Sequence, residues 1–329
     1  MSKVIDVLLL LALPASGKAE VRRYLEELPA GRRRDDLHLG PLVQLTDYSY
    51  VHMMRRTSTV LRSLGRDGVF FDSDDAPLKE GLDWGTLVEL LNEDFDDLVS
   101  HRQVETESAA AWLFDRYDAA RAKCGADPAL GKLPAAARAK LVFELEAEAQ
   151  EMVALRNASN TIPLEGRTVV IAIARGGPEK AALPLPPPLG YQYALSRFSD
   201  AILSRASILN VWTTPAESRR INTARVASGR DADQSILHHG VPAAVMLRDY
   251  GCDDLDYLIR TSRKPGTVEV ATRGRTFRIP VGRFDNRVDR TGFMRQERAK
   301  WPEASVKALH EGLVDALAGV VAAGAPMRG

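Results

Sequence analysis

The sequence predicts an α/β protein built on a mostly parallel sheet flanked by helices, and three observations carry that prediction. Residues 4–11, 168–174 and 208–212 are short apolar runs of the length expected for strands buried on both faces. Each gives way to a turn of small, proline or capping residues, and helical patterns separate the runs, an alternation that favours parallel pairing. The 329 residues are 45% hydrophobic and 27% charged, which suits one large or two modest globular domains with a substantial core.

The first run is interrupted only by Asp6. It opens into Ala12-Leu13-Pro14-Ala15-Ser16-Gly17-Lys18-Ala19, after which Val21, Tyr24, Leu25 and Leu28 fall at helical spacing. Small residues let backbone N–H groups converge on an anion, a helix N-terminus adds its dipole, and a lysine at the end of the loop reaches outer phosphates. Two other readings compete: a strand–turn–helix with a chance Ser-Gly-Lys, and a secretory leader. Asp6 inside the apolar run, the single basic Lys3 and the helix that follows at once count against a leader.

Arginines 32–34 with Asp35 and Asp36 read as a solvated charged loop. Residues 42–46 form a second strand candidate ending at Asp47, and a helix opens there and runs through Met53, Met54, Val60 and Leu61. An acid at the C-terminal end of a strand in an open α/β sheet sits where ligands bind, and there it can orient or deprotonate an acceptor hydroxyl. The same residue also suits a helix cap. His52 reads as a structural helix residue or a substrate contact. Residues 69–71 are a short strand candidate, followed by Asp72-Ser73-Asp74-Asp75, which fits a hydroxyl-rich substrate, Mg²⁺ or an ordinary turn. Residues 84–98 are an amphipathic helix. Residues 105–157 are helical with breaks near 125–128 and 131–134, an insertion that would serve as a substrate-binding arm or a homodimer surface.

Arg175 follows the strand at 168–174, where it would face an anion in the central crevice, while Ala172 and Ala174 leave that strand without an acid. Residues 183–190 are a stiff proline-rich connector, and Ser199 is the cap expected for a short helix over 200–205. After 208–212, Thr214-Pro215-Ala216-Glu217 gives a capping box. The helix it starts places Ser218, Arg219, Asn222 and Arg225 on one face, with Arg220 pointing elsewhere and Arg230 beyond. His238 and His239 are adjacent, a poor metal pair, and read as loop residues. Acids at 253–256 suit a helix start. Residues 267–270 and 276–279 suggest a hairpin around Gly274, residues 283–291 a polar functional loop, and residues 301–321 a terminal helix.

ALPASGKA at residues 12–19 resembles the phosphate-binding P-loop of the adenylate-kinase-like group, the nucleoside monophosphate and small-molecule kinases, which often read G-x-P-G-S-G-K. The likeness covers about eight residues. Ala12 and Ala15 stand where the family has glycine, and Ala19 stands where P-loop proteins usually carry the Mg²⁺-binding hydroxyl. Arg175 resembles the arginine after the third core strand of nucleotide kinases, and the helix bearing Arg219 and Arg225 resembles their lid. The resemblance implies a P-loop NTPase-type sheet with a helical insertion and a C-terminal appendage. It also implies a nucleotide on Leu13, Pro14, Ala15, Ser16, Gly17, Lys18 and Ala19. ATP and Mg²⁺ would be the cofactors, Lys18, Asp47, Arg219 and Arg225 would be catalytic, and Arg175, Asn222, Asp72 and Asp74 would hold the acceptor.

Lys+Arg and Asp+Glu both total 44, so no global charge draws the chain to nucleic acid or membrane. Cys124 and Cys252 are too few for a disulfide scaffold or a cysteine metal cluster, and no apolar run approaches the ~20 residues of a membrane span. A cytoplasmic protein is expected, divided into residues 1–104 and 161–262 as core, 105–160 as insertion and 263–329 as appendage. The expected activity is ATP-dependent phosphoryl transfer to a small metabolite, nucleoside or nucleotide. Ala12, Ala15, Ala19 and Ala172 motivate the alternative, a nucleotide-binding protein without catalysis.

Overall fold

The computed structural model describes residues 3–227, 240–272 and 274–328. Its elements run β1 (Val4–Ile5), β2 (Val7–Leu11), α1 (Lys18–Glu27), α2 (Ala30–Leu37), β3 (Leu42–Thr46), α3 (Tyr48–Ser63), α4 (Asp83–Val99), α5 (Ala109–Lys123) and α6 (Ala135–Asn160). Then come β4 (Thr168–Ile173), α7 (Gly190–Arg197), α8 (Asp200–Leu203), β5 (Ala206–Trp212), α9 (Pro215–Ala227), α10 (Ala243–Arg248), α11 (Leu255–Thr261), β6 (Thr267–Ala271), β7 (Thr276–Asp285), α12 (Glu303–Ala322) and β8 (Met327–Arg328).

Six strands form one mixed sheet in the order β3-β4-β2-β5-β7-β6, parallel throughout except for the antiparallel edge strand β6. The alternation of side chains along β2 explains its helical layers. Val7, Leu9 and Leu11 face α4, α7, α8 and α11. Leu8, Leu10 and Ala12 face α1, α2 and α12 on the other side. With both faces covered, β2 has no polar position to spare, which is why it reads as an unbroken apolar run. α4 is buried around most of its surface because α3, α5 and α6 form a further helical layer behind it, packed on Tyr50, Met53, Phe70, Leu87, Phe114 and Tyr117. The insertion expected at 105–160 is thus α5 and α6, joined to the core through α4. No helix among the described residues is long and apolar enough to cross a membrane.

Three local expectations are corrected. Residues 4–11 are two strands. The chain breaks at Asp6, which pairs with Arg328, and Val4–Ile5 turns to the C-terminal strand β8. Residues 69–71 form no strand: Phe71 makes one isolated bridge with Leu78, and the Phe70 and Phe71 amides bond the Ser58 hydroxyl instead. β7 runs on through Pro280 to Asp285, past the hairpin and into the stretch read as loop. Its first half pairs with β6 and its second half with β5, so Pro280 sits where the strand changes partner. The Ser199 and Thr214 caps form as expected, accepting from the Ile202 and Glu217 amides. Arg230, His238 and His239 lie outside the described residues.

Connections set the position of the crevice. The chain leaves β2 over one face to reach β3, two places away, and leaves β4 over the other face to reach β5 beyond β2. Such divergence opens a gap beyond the carboxyl ends of the central strands. The turn after β2, Asp47 after β3 and Arg175 after β4 all project there.

Candidate binding site at the carboxyl edge of the sheet

A cavity of about 500 Å³ fills this gap, within the usual range of about 300–1,000 Å³ for small-molecule sites. One wall is the turn between β2 and α1. Ala15 takes a left-handed conformation at φ 55°, and Gly17 another at φ 94°. Two left-handed residues so close together curl the chain, a backbone shape suited to anions. Among the described residues the N–H groups of Ala15, Ser16, Gly17, Lys18 and Ala19 have no protein acceptor; the first amide of this stretch to be bonded is Val21, to the Gly17 carbonyl.

The turn is braced from behind. The Ser16 hydroxyl donates to the Leu13 carbonyl at 2.6 Å, and Ser218 of α9 donates to the Pro14 carbonyl at 2.6 Å. Asn286, fully buried in the polar stretch after β7, donates to the Ser16 carbonyl at 2.8 Å and to the Thr291 hydroxyl at 3.2 Å. This stretch approaches so closely that a Cβ on Gly17 would lie 2.5 Å from Thr291 Oγ1 and 2.6 Å from Asn286 Nδ2. Glycine is required there by both backbone conformation and space. Ala15 carries its Cβ in a left-handed conformation, at a cost of about 1–2 kcal/mol that a glycine would avoid.

Lys18 opens α1 and lines the cavity with no ion pair or hydrogen bond among the described residues. Burial pushes its ammonium down to about 8, opposed by nearby Asp47 and reinforced by Arg175 and Arg22. Across from it, Arg175 donates to Asp47 at 2.6 Å and to the Ala174 carbonyl at 2.7 Å, with its guanidinium 4.9 Å from the Trp84 ring centroid. Both members of this pair are buried. Asp47 stands at the N-cap of α3 but makes no side-chain cap bond; its carboxylate is committed to Arg175.

In comparisons with protein-family models, curated proteins and solved structures, nothing matches the chain.

Of the residues singled out in the sequence, Leu13, Pro14, Ala15, Gly17, Lys18 and Ala19 line the cavity, as do Asp47, Asp74, Arg175 and Arg225. His52, Asp75, Ala172 and Ala174 line it too, whereas Ser16, Arg219, Asn222 and Asp72 lie outside it. Ser16 is buried in its own turn. Arg219 pairs with Glu179 at 2.9 Å. Asn222 donates to the Val241 carbonyl at 2.7 Å and accepts from its amide at 2.8 Å, fixing the cavity wall. Asp72 is exposed and pairs with Lys79 at 2.8 Å. The inward face of α9 is therefore largely a bracing face, and Arg225 on it pairs with Glu20, which also takes Arg295 at 2.8 Å. Arg220 is exposed and pairs with Glu217, as its angle on the helix implies. His52 lies on the cavity rim, 3.8 Å from Glu148.

Asp249, Tyr250, Arg55 and Trp84 also line the cavity, and sequence reasoning did not single them out for function. Burial raises Asp249 to about 6, against the pull of Arg248 and Arg55, and raises the Tyr250 hydroxyl as well. Nothing in the spacing of Leu247-Arg248-Asp249-Tyr250 marks them. They reach the cavity because α10 ends over it. Glu20 could have been noticed as a first-turn acid, but its two arginine partners are distant in sequence.

Proposed function

We propose that this protein is an ATP-dependent phosphotransferase acting on a small hydroxylated acceptor, with a P-loop-like turn over residues 12–19. The observation that carries the reading is the run of unbonded amides at Ala15 to Ala19, ending in the unpaired, half-buried ammonium of Lys18 on the wall of the cavity. Backbone donors and one cation are what polyphosphate capture needs. Lys18 would neutralise the outer phosphates, and Asp47, held by Arg175, would orient the acceptor hydroxyl.

In the transfer step the hydroxyl oxygen bonds to the terminal phosphorus, the bridging P–O bond to the diphosphate breaks, and the hydroxyl proton passes to Asp47. Positioning and charge stabilisation account for most of the rate in such reactions. Mg²⁺ would enter on the phosphates with few protein ligands, as it commonly does. Ala19 offers it no oxygen, the Ser16 hydroxyl is bonded to Leu13, and among the described residues no group of three metal-ligating side chains is arranged around a common point.

A second reading, nucleotide binding without turnover, is favoured by Ala19 and by the absence of an acid at Ala172 and Ala174. Calorimetry with ATP and its Mg²⁺ complex tests both, since failure to bind would end each. Lys18→Ala separates them: a transferase should lose at least ~10²-fold in turnover, whereas a binding protein has none to lose.

A further inference from the structure

We infer that the end of the cavity away from the turn selects an acceptor carrying a protonated amine, an amino alcohol or amino sugar, with Asp249 taking the ammonium; this rests on the phosphotransfer reading above. The argument is the distribution of charge along the cavity. At the turn end, Lys18 and Arg22 line the wall with no carboxylate partner among the described residues. In the middle the charges are matched, Arg175 by Asp47 and Arg225 by Glu20. At the far end the balance reverses. Asp249 is only 6% exposed, and its carboxylate makes no ion pair or side-chain hydrogen bond among the described residues. Asp75 lines the same end without an ion pair, while Asp74 is held by Arg62. Arg55 is the cation on that wall, and it donates to the Asp74 and Ala76 carbonyls at 2.7 and 3.2 Å while lying 3.9 Å from the Phe71 ring centroid.

An anionic acceptor, a phosphate ester or carboxylate, would have to draw Arg55 away from the Asp74 and Ala76 carbonyls and would lie against an oxygen of the unpaired Asp249 carboxylate. A neutral hydroxyl would satisfy that oxygen but leave its charge. An ammonium does both, and a charge-assisted bond in a dry site is roughly twice as strong as a neutral one. Trp84 and Tyr250, whose ring centroids lie 5.8 Å apart, add aromatic surface that attracts a cation. Burial holds Asp249 near 6 against the pull of Arg248 and Arg55, so it is ionised at neutral pH, and neither arginine forms an ion pair with it. The occupant this cavity fits is therefore anionic at one end and cationic at the other: nucleotide phosphates on the turn, an aminated acceptor beyond Asp47.

The test is calorimetry on the full chain with Mg²⁺ and a non-hydrolysable ATP analogue, titrated with two matched trios at pH 7.5. The first is glucosamine, glucose and glucose 6-phosphate. The second is 2-aminoethanol, ethylene glycol and 2-hydroxyethyl phosphate. In at least one trio the amine should bind about tenfold or more tightly than its alcohol, with the phosphate ester weakest. Asp249→Asn should bring amine and alcohol within about twofold of each other. Equal binding of amine and alcohol, preference for the phosphate, a preference that survives Asp249→Asn, or nucleotide binding with no amine bound would each overturn the inference. A chain that binds the amine through Asp249 but binds no nucleotide would keep the amine site and overturn the phosphotransfer reading instead.

Discussion

Lys18 should make nucleotide affinity fall steeply with pH in a range where phosphates no longer titrate. In the empty protein, burial lowers its ammonium to about 8 from an ordinary 10.5. A bound polyphosphate supplies the missing counter-charge and returns the group to about its ordinary value. Proton linkage then fixes the size of the effect: association should weaken about 20-fold between pH 7.5 and 9.5, and binding at pH 8 should take up about half a proton. Phosphate groups with a second pKa of about 6 are fully ionised throughout this window and contribute no slope. Calorimetry in two buffers of different ionisation enthalpy reads the proton uptake directly. Lys18→Arg keeps a charge that does not titrate and should flatten the profile. Lys18→Ala should flatten it too and weaken binding at pH 7.5 by about 10- to 100-fold, the worth of a hydrogen bond to a charged group. The empty protein should show the opposite sign. A depressed lysine is a stability cost below its folded pKa, so Lys18→Met should stabilise at pH 7 by up to about 3 kcal/mol, a gain that fades as pH rises through 8 toward 10.5. Flat wild-type affinity from pH 7.5 to 9.5, without proton uptake, would refute the assignment of Lys18 to the phosphates.

Three further outcomes are expected. Asp249, raised to about 6 from 3.8, binds its proton more tightly folded than unfolded, so its contribution to stability is lost as pH rises through that interval. Asp249→Asn should raise the urea-unfolding free energy at pH 7.5 by up to about 3 kcal/mol, with no gain left at pH 3.5. Gly17→Ala should cost about 2–4 kcal/mol by the same assay, from the left-handed backbone and the clash with Thr291 and Asn286, whereas Ala15→Gly should stay within about 1 kcal/mol of wild type. Asp47→Ala leaves the buried Arg175 guanidinium without its carboxylate and should cost about 3–5 kcal/mol; Arg175→Met in the same chain should recover part of that loss.

Much of the sheet was legible because burial on both faces leaves a plain mark. Val7–Leu11, Thr168–Ile173 and Ala206–Trp212 are apolar at nearly every position, and no amphipathic helix shares that pattern. Local chemistry also revealed the Thr214 and Ser199 caps, since a capping side chain bonds amides only two or three residues away. Where a strand changes partner, as β7 does at Pro280, a local pattern gives no warning. The break at Asp6 likewise depends on Arg328 at the other end of the chain.

The strand–turn–helix at residues 7–27, Lys18 at the turn's end, and the placement of Asp47 and Arg175 after core strands could all be read from residue order, because they follow from periodicity and residue type within a short span. Which charges are left unpaired emerges from the folded chain. Arg175, Arg219 and Arg225 read alike along the chain, yet each finds a carboxylate 40 to 205 residues away, while among the described residues Lys18 pairs with no carboxylate and Asp249 with no cation. Whether a charge is matched depends on what folding brings within a few ångströms of it, and Coulomb energy falls with distance in space, not along the sequence.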